Sequence, residues 1–97
     1  MTYLVTCYDK KDSLNLRLST REKHLKYLNK FKKQIMLAGP ILDEDKNPIG
    51  TVLILYYDKL EQVNDFLKND PYTQVNLFKK ISILEFKKVS RWELTML

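Results

Sequence analysis

The hydrophobic positions of this chain change period several times, and each change marks an element. Residues 2–8 (TYLVTCY) are rich in β-branched and aromatic types and predict a first strand. Residues 9–18 form a polar connection of Asp, Lys, Ser and Asn. From Ser19 the apolar positions fall at helical spacing, with Leu25, Leu28, Phe31 and Ile35 on one stripe among lysines. Ser19 and Glu22 have the spacing of a capping box, so the pattern predicts a helix over 19–34. Residues 35–43 (IMLAGPILD) predict a second strand. Gly39-Pro40 interrupts it, and a residue that cannot donate to a ladder places it at a sheet edge or a kink. Residues 44–50 (EDKNPIG) are dense in turn formers and close a hairpin onto a third strand, 51–58. Residues 60–69 return to helical spacing through Leu60, Val63, Phe66 and Leu67, and Asp70-Pro71 stops that helix. One more helical turn follows within 72–78, then a fourth strand, 80–89, and a tail, 90–97.

The order β-α-β-β-α-β is the ferredoxin-like, split βαβ pattern: an α+β fold with a four-stranded antiparallel sheet and helices on one face. The third strand is apolar at every position from Val52 to Leu55, whereas a strand buried on one face alternates. Two helices cover one face of such a sheet. The other face is therefore expected to pack on a second copy of the chain, giving a homodimer.

Composition narrows the function classes. The 97 residues make a single domain, 1–97, with a thin core. Only Gly39 and Gly50 are glycines, where average usage would give about seven, so no glycine-rich phosphate loop can exist. Gly39 is expected to let the second strand kink before Asp43, and Gly50 to close the hairpin after it. Cys7 is alone, which excludes a disulfide framework, and one Cys with one His is too little for a structural zinc site. The longest apolar run, Val52 to Tyr57, is far short of a membrane span. The N-terminal residues have no basic region ahead of an apolar stretch, so a cytoplasmic protein is expected. The net charge of +5 permits nucleic-acid binding, but the lysines are dispersed as a solvated surface. KKISILEF also lacks the glycines of an RNA-binding sheet motif, so no nucleic-acid partner is expected.

Histidine chemistry must use His24, the one histidine. A lone histidine beside an apolar stripe is ordinarily a packed boundary residue, but the topology brings company to it. The first two strands run parallel through a right-handed crossover, so the start of the first helix, the end of the second strand and the end of the second helix share one rim. His24, Asp43 and Asp70 converge there, with Arg21 and Tyr72 close by. Histidine exchanges protons at neutral pH, and a carboxylate on one ring nitrogen fixes its tautomer. Asp43 and Asp70 are both candidates for that partner, and Arg21 and Tyr72 stand beside the same rim. Ser19 is better explained as a helix cap and Cys7 as a packed strand residue than as nucleophiles; Ser13 is a third hydroxyl or thiol in play. One histidine with scattered carboxylates is a weak metal signal, and neither metal nor cofactor is expected.

Several motifs in register resemble the YciI-like, or YCII-related, proteins. They are RLSTREKHLKYL (17–28), AGPILDEDKNPIGT (38–51) and NDPYTQVNLFKKISILEFKKV (69–89), preceded by an opening with Cys7-Tyr8-Asp9-Lys10. The resemblance covers nearly the whole chain. It implies a ferredoxin-like, dimeric α/β-barrel protein with a pocket in each subunit and a His–Asp site, carried here by His24 and Asp43. Glu44 and Asp45 stand beside Asp43 as alternative partners of His24. Asp70, Pro71 and Tyr72 match an element bordering that pocket, so Arg21, Asp70 and Tyr72 are the expected substrate-binding residues beside the catalytic His24 and Asp43. Some members eliminate hydrogen chloride from chlorinated muconolactone-type compounds. This chain departs from the pattern at Asn76 in place of Gly, Thr51 in place of Ser, and Glu85 in place of Pro. Together these features predict a small-molecule enzyme with a His–Asp acid–base pair, catalysing elimination, isomerisation or hydrolysis of a small, anionic or carbonyl-bearing metabolite. The alternative is a non-catalytic dimeric metabolite-binding module.

Overall fold

The computed structural model describes residues 1–89. The expected tail, 90–97, lies outside them. The chain forms β1 (Thr2–Asp9), α1 (Leu14–Lys30), β2 (Ile35–Leu42), β3 (Pro48–Tyr56), α2 (Leu60–Lys68), α3 (Pro71–Gln74) and β4 (Phe78–Phe86). The four strands make one antiparallel sheet in the order β2-β3-β1-β4. This is the ferredoxin-like topology, with β2 at an edge as its Pro40 requires.

Alternation along β1 sets the two faces. Tyr3, Val5 and Cys7 are buried and meet Leu53, Leu55, Val63, Phe66 and Leu67 in the core under the helices. The intervening residues point the other way, where Leu4 stands between Ile54 of β3 and Leu84 of β4. The run Val52–Leu55 is thus apolar on both faces because its odd members fill the core and its even members line the uncovered side.

Helix α1 starts earlier than its apolar pattern predicts. The Arg17 amide donates to the Ser13 carbonyl at 2.9 Å, and Leu14 is the first helical residue. Ser19 is inside the helix, its hydroxyl donating to the Leu16 carbonyl at 3.1 Å, so it caps nothing. The reason is that the buried stripe of the first half is polar: Arg17, Thr20 and His24 face inward. Leu18 and Leu25 are exposed instead, and Leu25 leaves the expected apolar stripe. Only Tyr27, Leu28 and Phe31 bring the helix onto the apolar core.

Helix α2 stops at Lys68, and Asp70 then starts α3: its carboxylate accepts from the Tyr72 amide at 2.9 Å, with Pro71 at the first helical position. Asn76 takes φ 60°, a left-handed conformation that Asn tolerates.

The two glycines are not equivalent. Neither has positive φ. A Cβ on Gly50 would stand 2.5 Å from the Cys7 carbonyl oxygen, whereas one on Gly39 would meet nothing within 4 Å. Gly50 therefore permits the close β1–β3 approach, while Gly39 has no steric need, contrary to the kink expected there. Gly50→Ala is expected to destabilise the fold by about 1–3 kcal/mol, and Gly39→Ala by less than about 0.5 kcal/mol, as measured by urea denaturation.

Candidate active site

The polar stripe of α1 packs against the start of α3, the end of β1 and the first half of β3, and each of its members finds a partner. Arg17 donates from Nε and Nη2 to the two Asp9 carboxylate oxygens, at 2.6 and 2.9 Å. Its Nη2 also donates to Thr51 Oγ1 at 2.7 Å. Both side chains of the ion pair are nearly sealed, at 5% and 6% exposed. His24 Nδ1 lies 2.8 Å from Asp70 Oδ1, and Asp70 is buried.

Asp70 Oδ1 accepts from the Tyr72 amide as well, so the carboxylate is anchored before it meets the histidine. An accepting carboxylate places the proton of the neutral imidazole on Nδ1 and leaves the Nε2 lone pair free. Nε2 makes no hydrogen bond to the described residues. His24 itself lines a cavity. The Tyr72 ring stacks on the imidazole, with centroids 3.9 Å apart and planes 17° apart, and lies 4.6 Å from the Arg17 guanidinium carbon. Burial raises the Tyr72 phenol pKa against the opposing pull of Arg17 and Arg21. The hydroxyl thus stays protonated at neutral pH and can donate.

A cavity of about 220 Å³ opens between α1 and the β2–β3 edge of the sheet. Its polar lining is Arg17, Arg21, His24, Thr51 and Tyr72, and its walls are aliphatic, with Leu25, Leu28 and Pro40 among them. Among the described residues no carboxylate lines it.

Of the expected site residues, His24, Arg21 and Tyr72 meet at this cavity. Asp70 does not line it; it stands behind His24, as that residue's partner. Asp43 is not there. Its carboxylate accepts from the Asp45 and Asn47 amides at 2.9 and 3.0 Å, and its backbone closes the same β2–β3 turn. The expected His24–Asp43 pair is therefore corrected to His24–Asp70: Asp43 is spent on its own turn, and α3 brings Asp70 under α1. Arg17, Asp9 and Thr51 were not expected at the site. Their signal was the helical spacing of Arg17, Thr20 and His24, a stripe of polar rather than apolar residues. Cys7 is fully buried, and its thiol pKa is pushed up to about 12 by burial, with Asp70 and Asp9 adding to the rise and Arg17 opposing it, so it is no nucleophile. Among the described residues no cluster of His, Cys, Asp and Glu is arranged to hold a metal, and no helix is long and apolar enough to cross a membrane.

Topology and dyad together define a class: a ferredoxin-like domain whose single histidine is held by a buried aspartate at the wall of a pocket between first helix and sheet. Within that class the chain belongs to the family of YCII-related domains, which it matches over residues 1–87. It is 32% identical to protein YciI of Escherichia coli O6:H1, across 92% of this chain and 99% of that protein. Among solved structures it resembles 5-chloro-2-hydroxyhydroquinone dehydrochlorinase of Burkholderia phenoliruptrix, determined in complex with 2,5-dihydroxybenzoquinone. That likeness has a TM-score of 0.84 and 32% identity, covering 90% of this chain and 94% of the other. An antibiotic biosynthesis monooxygenase shares the fold alone, at a TM-score of 0.55 and 8% identity over 92% of this chain and 98% of its own.

Proposed function

We propose that this protein is a small-molecule enzyme of acid–base type, with His24 as the proton-transfer residue, Asp70 as the group that orients it, and elimination as the reaction class. The observation that carries this reading is the 2.8 Å contact of His24 Nδ1 with the buried Asp70 at the cavity wall. It leaves Nε2 without a partner among the described residues, on a histidine that lines a space sized for a small molecule. In an elimination Nε2 takes a proton from carbon, the C–H electrons form the new double bond, and the leaving group departs with its electron pair. Arg21 and the Tyr72 hydroxyl contact a carboxylate or carbonyl of the substrate. Asp43 has no part in this reading. The dehydrochlorinase relative supports elimination over isomerisation or hydrolysis, because its reaction removes hydrogen chloride. The test is a screen of small halogenated and hydroxylated ring and chain acids, a chlorinated hydroxyquinol among them, for halide or water release that is lost in His24→Asn. Saturable binding without turnover across that screen would instead mark a metabolite-binding module.

The same reading includes a homodimer through the uncovered sheet face. Leu37, Tyr56 and Leu84 on that face are 59%, 54% and 60% exposed, with Leu4, Val52 and Ile54 between them. A contiguous apolar face of this kind is rare on a monomer. Light scattering is expected to give twice the chain mass, and Leu84→Lys to shift the population to monomer. A monomeric wild-type chain at micromolar concentration would contradict it.

A further inference from the structure

We infer that Arg17 is the anion receptor of the cavity, so that the ligand carries an oxyanion, a carboxylate or an ionised enol or phenol, within a short reach of His24. This rests on the reading of the cavity as the active site and adds the class of its ligand.

The geometry separates the two edges of the guanidinium. Nε and Nη2 are taken by Asp9 and Thr51. Nη1 makes no hydrogen bond to the described residues. It is not among the buried side-chain atoms left without a partner, of which Thr73 Oγ1 is the one described case. Arg17 lines the cavity, and Nη1 is the guanidinium nitrogen left without a partner among the described residues. A guanidinium that is 5% exposed, clamped on one edge and with free donors on the other, is a pre-oriented receptor. Asp9 holds it rigid, and the N–H groups that remain point where a ligand oxygen can accept. Arg21 adds a second guanidinium at the same cavity, and among the described residues no carboxylate there opposes an anion.

Receptor and base share one neighbour. The guanidinium carbon is 4.6 Å and the imidazole centre 3.9 Å from the centre of the same Tyr72 ring. They are therefore no further apart than those two distances together, and both line the one cavity. A donor at that position also meets the negative charge that develops on oxygen when a proton leaves a neighbouring carbon.

The test is equilibrium binding, which needs no turnover and so stands or falls apart from the enzymatic reading. Benzoate and propionate are titrated into the ¹⁵N-labelled protein beside their neutral amides, benzamide and propionamide. The expected result is that the acids, and not the amides, shift the slowly exchanging Arg17 guanidinium resonances, and that Arg17→Lys weakens acid binding roughly tenfold or more while the protein remains folded. Following the Arg17 resonances in the unmodified protein keeps the result decisive where Arg17→Lys fails to fold. Equal binding of acids and amides, no binding of either, or acid binding that moves Arg21 and leaves Arg17 unshifted would each overturn the inference. Loss of turnover with acid binding intact would count against the enzymatic reading alone.

Discussion

Replacing His24 by Asn is expected to lower turnover by about 10²–10⁴-fold, with the protein still folded by circular dichroism. The amide can still reach Asp70 but has no basic lone pair to receive a proton. Asp70→Asn is expected to cost nearly as much, for a different reason. A side-chain amide can donate to Nδ1, which moves the imidazole proton to Nε2 and turns the base away from its task. Because both changes disable one unit, the double variant should be little worse than either single one. Substrate affinity should change far less than turnover, since Asp70 does not line the cavity. Turnover that survives His24→Asn within a few-fold would place the base elsewhere.

The second large effect is on stability. Asp9→Ala removes the partner of a nearly sealed arginine, leaving Arg17 with Thr51 and the face of Tyr72. Breaking a buried ion pair on one side costs about 3–5 kcal/mol, because the surviving charge stays desolvated. For a domain of this size the melting temperature should fall by at least about 12 °C. The double change Asp9→Leu with Arg17→Met, which removes both charges and keeps volume, should recover much of that loss. A melting temperature for Asp9→Ala within a few degrees of the wild type would mean that Arg17 reaches solvent through the cavity when unpaired.

The strands and the second helix were legible in the sequence because their burial follows ordinary rules: alternation in TYLVTCY, helical spacing in LEQVNDFLK, a proline stop after Asp70. Asp70, Tyr72 and His24 could be brought to one rim from topology alone. The start of α1 was not legible in the same way. Apolar period locates a helix that buries apolar residues, and the first half of α1 buries Arg17, Thr20 and His24. Reading residues 9–18 as a polar loop removed Asp9 and Arg17 from the site at the same stroke. The partner of His24 was misassigned because topology gives the rim but not the depth. Asp43 sits beyond an edge strand in a turn that uses its carboxylate, whereas Asp70 is drawn under α1 by the helical turn it caps. Thr51 entered as a conservative hydroxyl, and its use as an acceptor for a buried guanidinium required the fold to be seen.

One oxygen atom, Oδ1 of Asp70, receives both the imidazole of His24 and the amide of Tyr72. The orientation of the base and the first turn of α3 are thus a single cooperative unit. A local opening that moves the Asp70 carboxylate frees the Tyr72 amide and the histidine together, so exchange of that one amide with deuterium reports such openings of the pocket. Selection for a firmer α3 and selection for a better-held base act on the same atom and cannot be pursued separately.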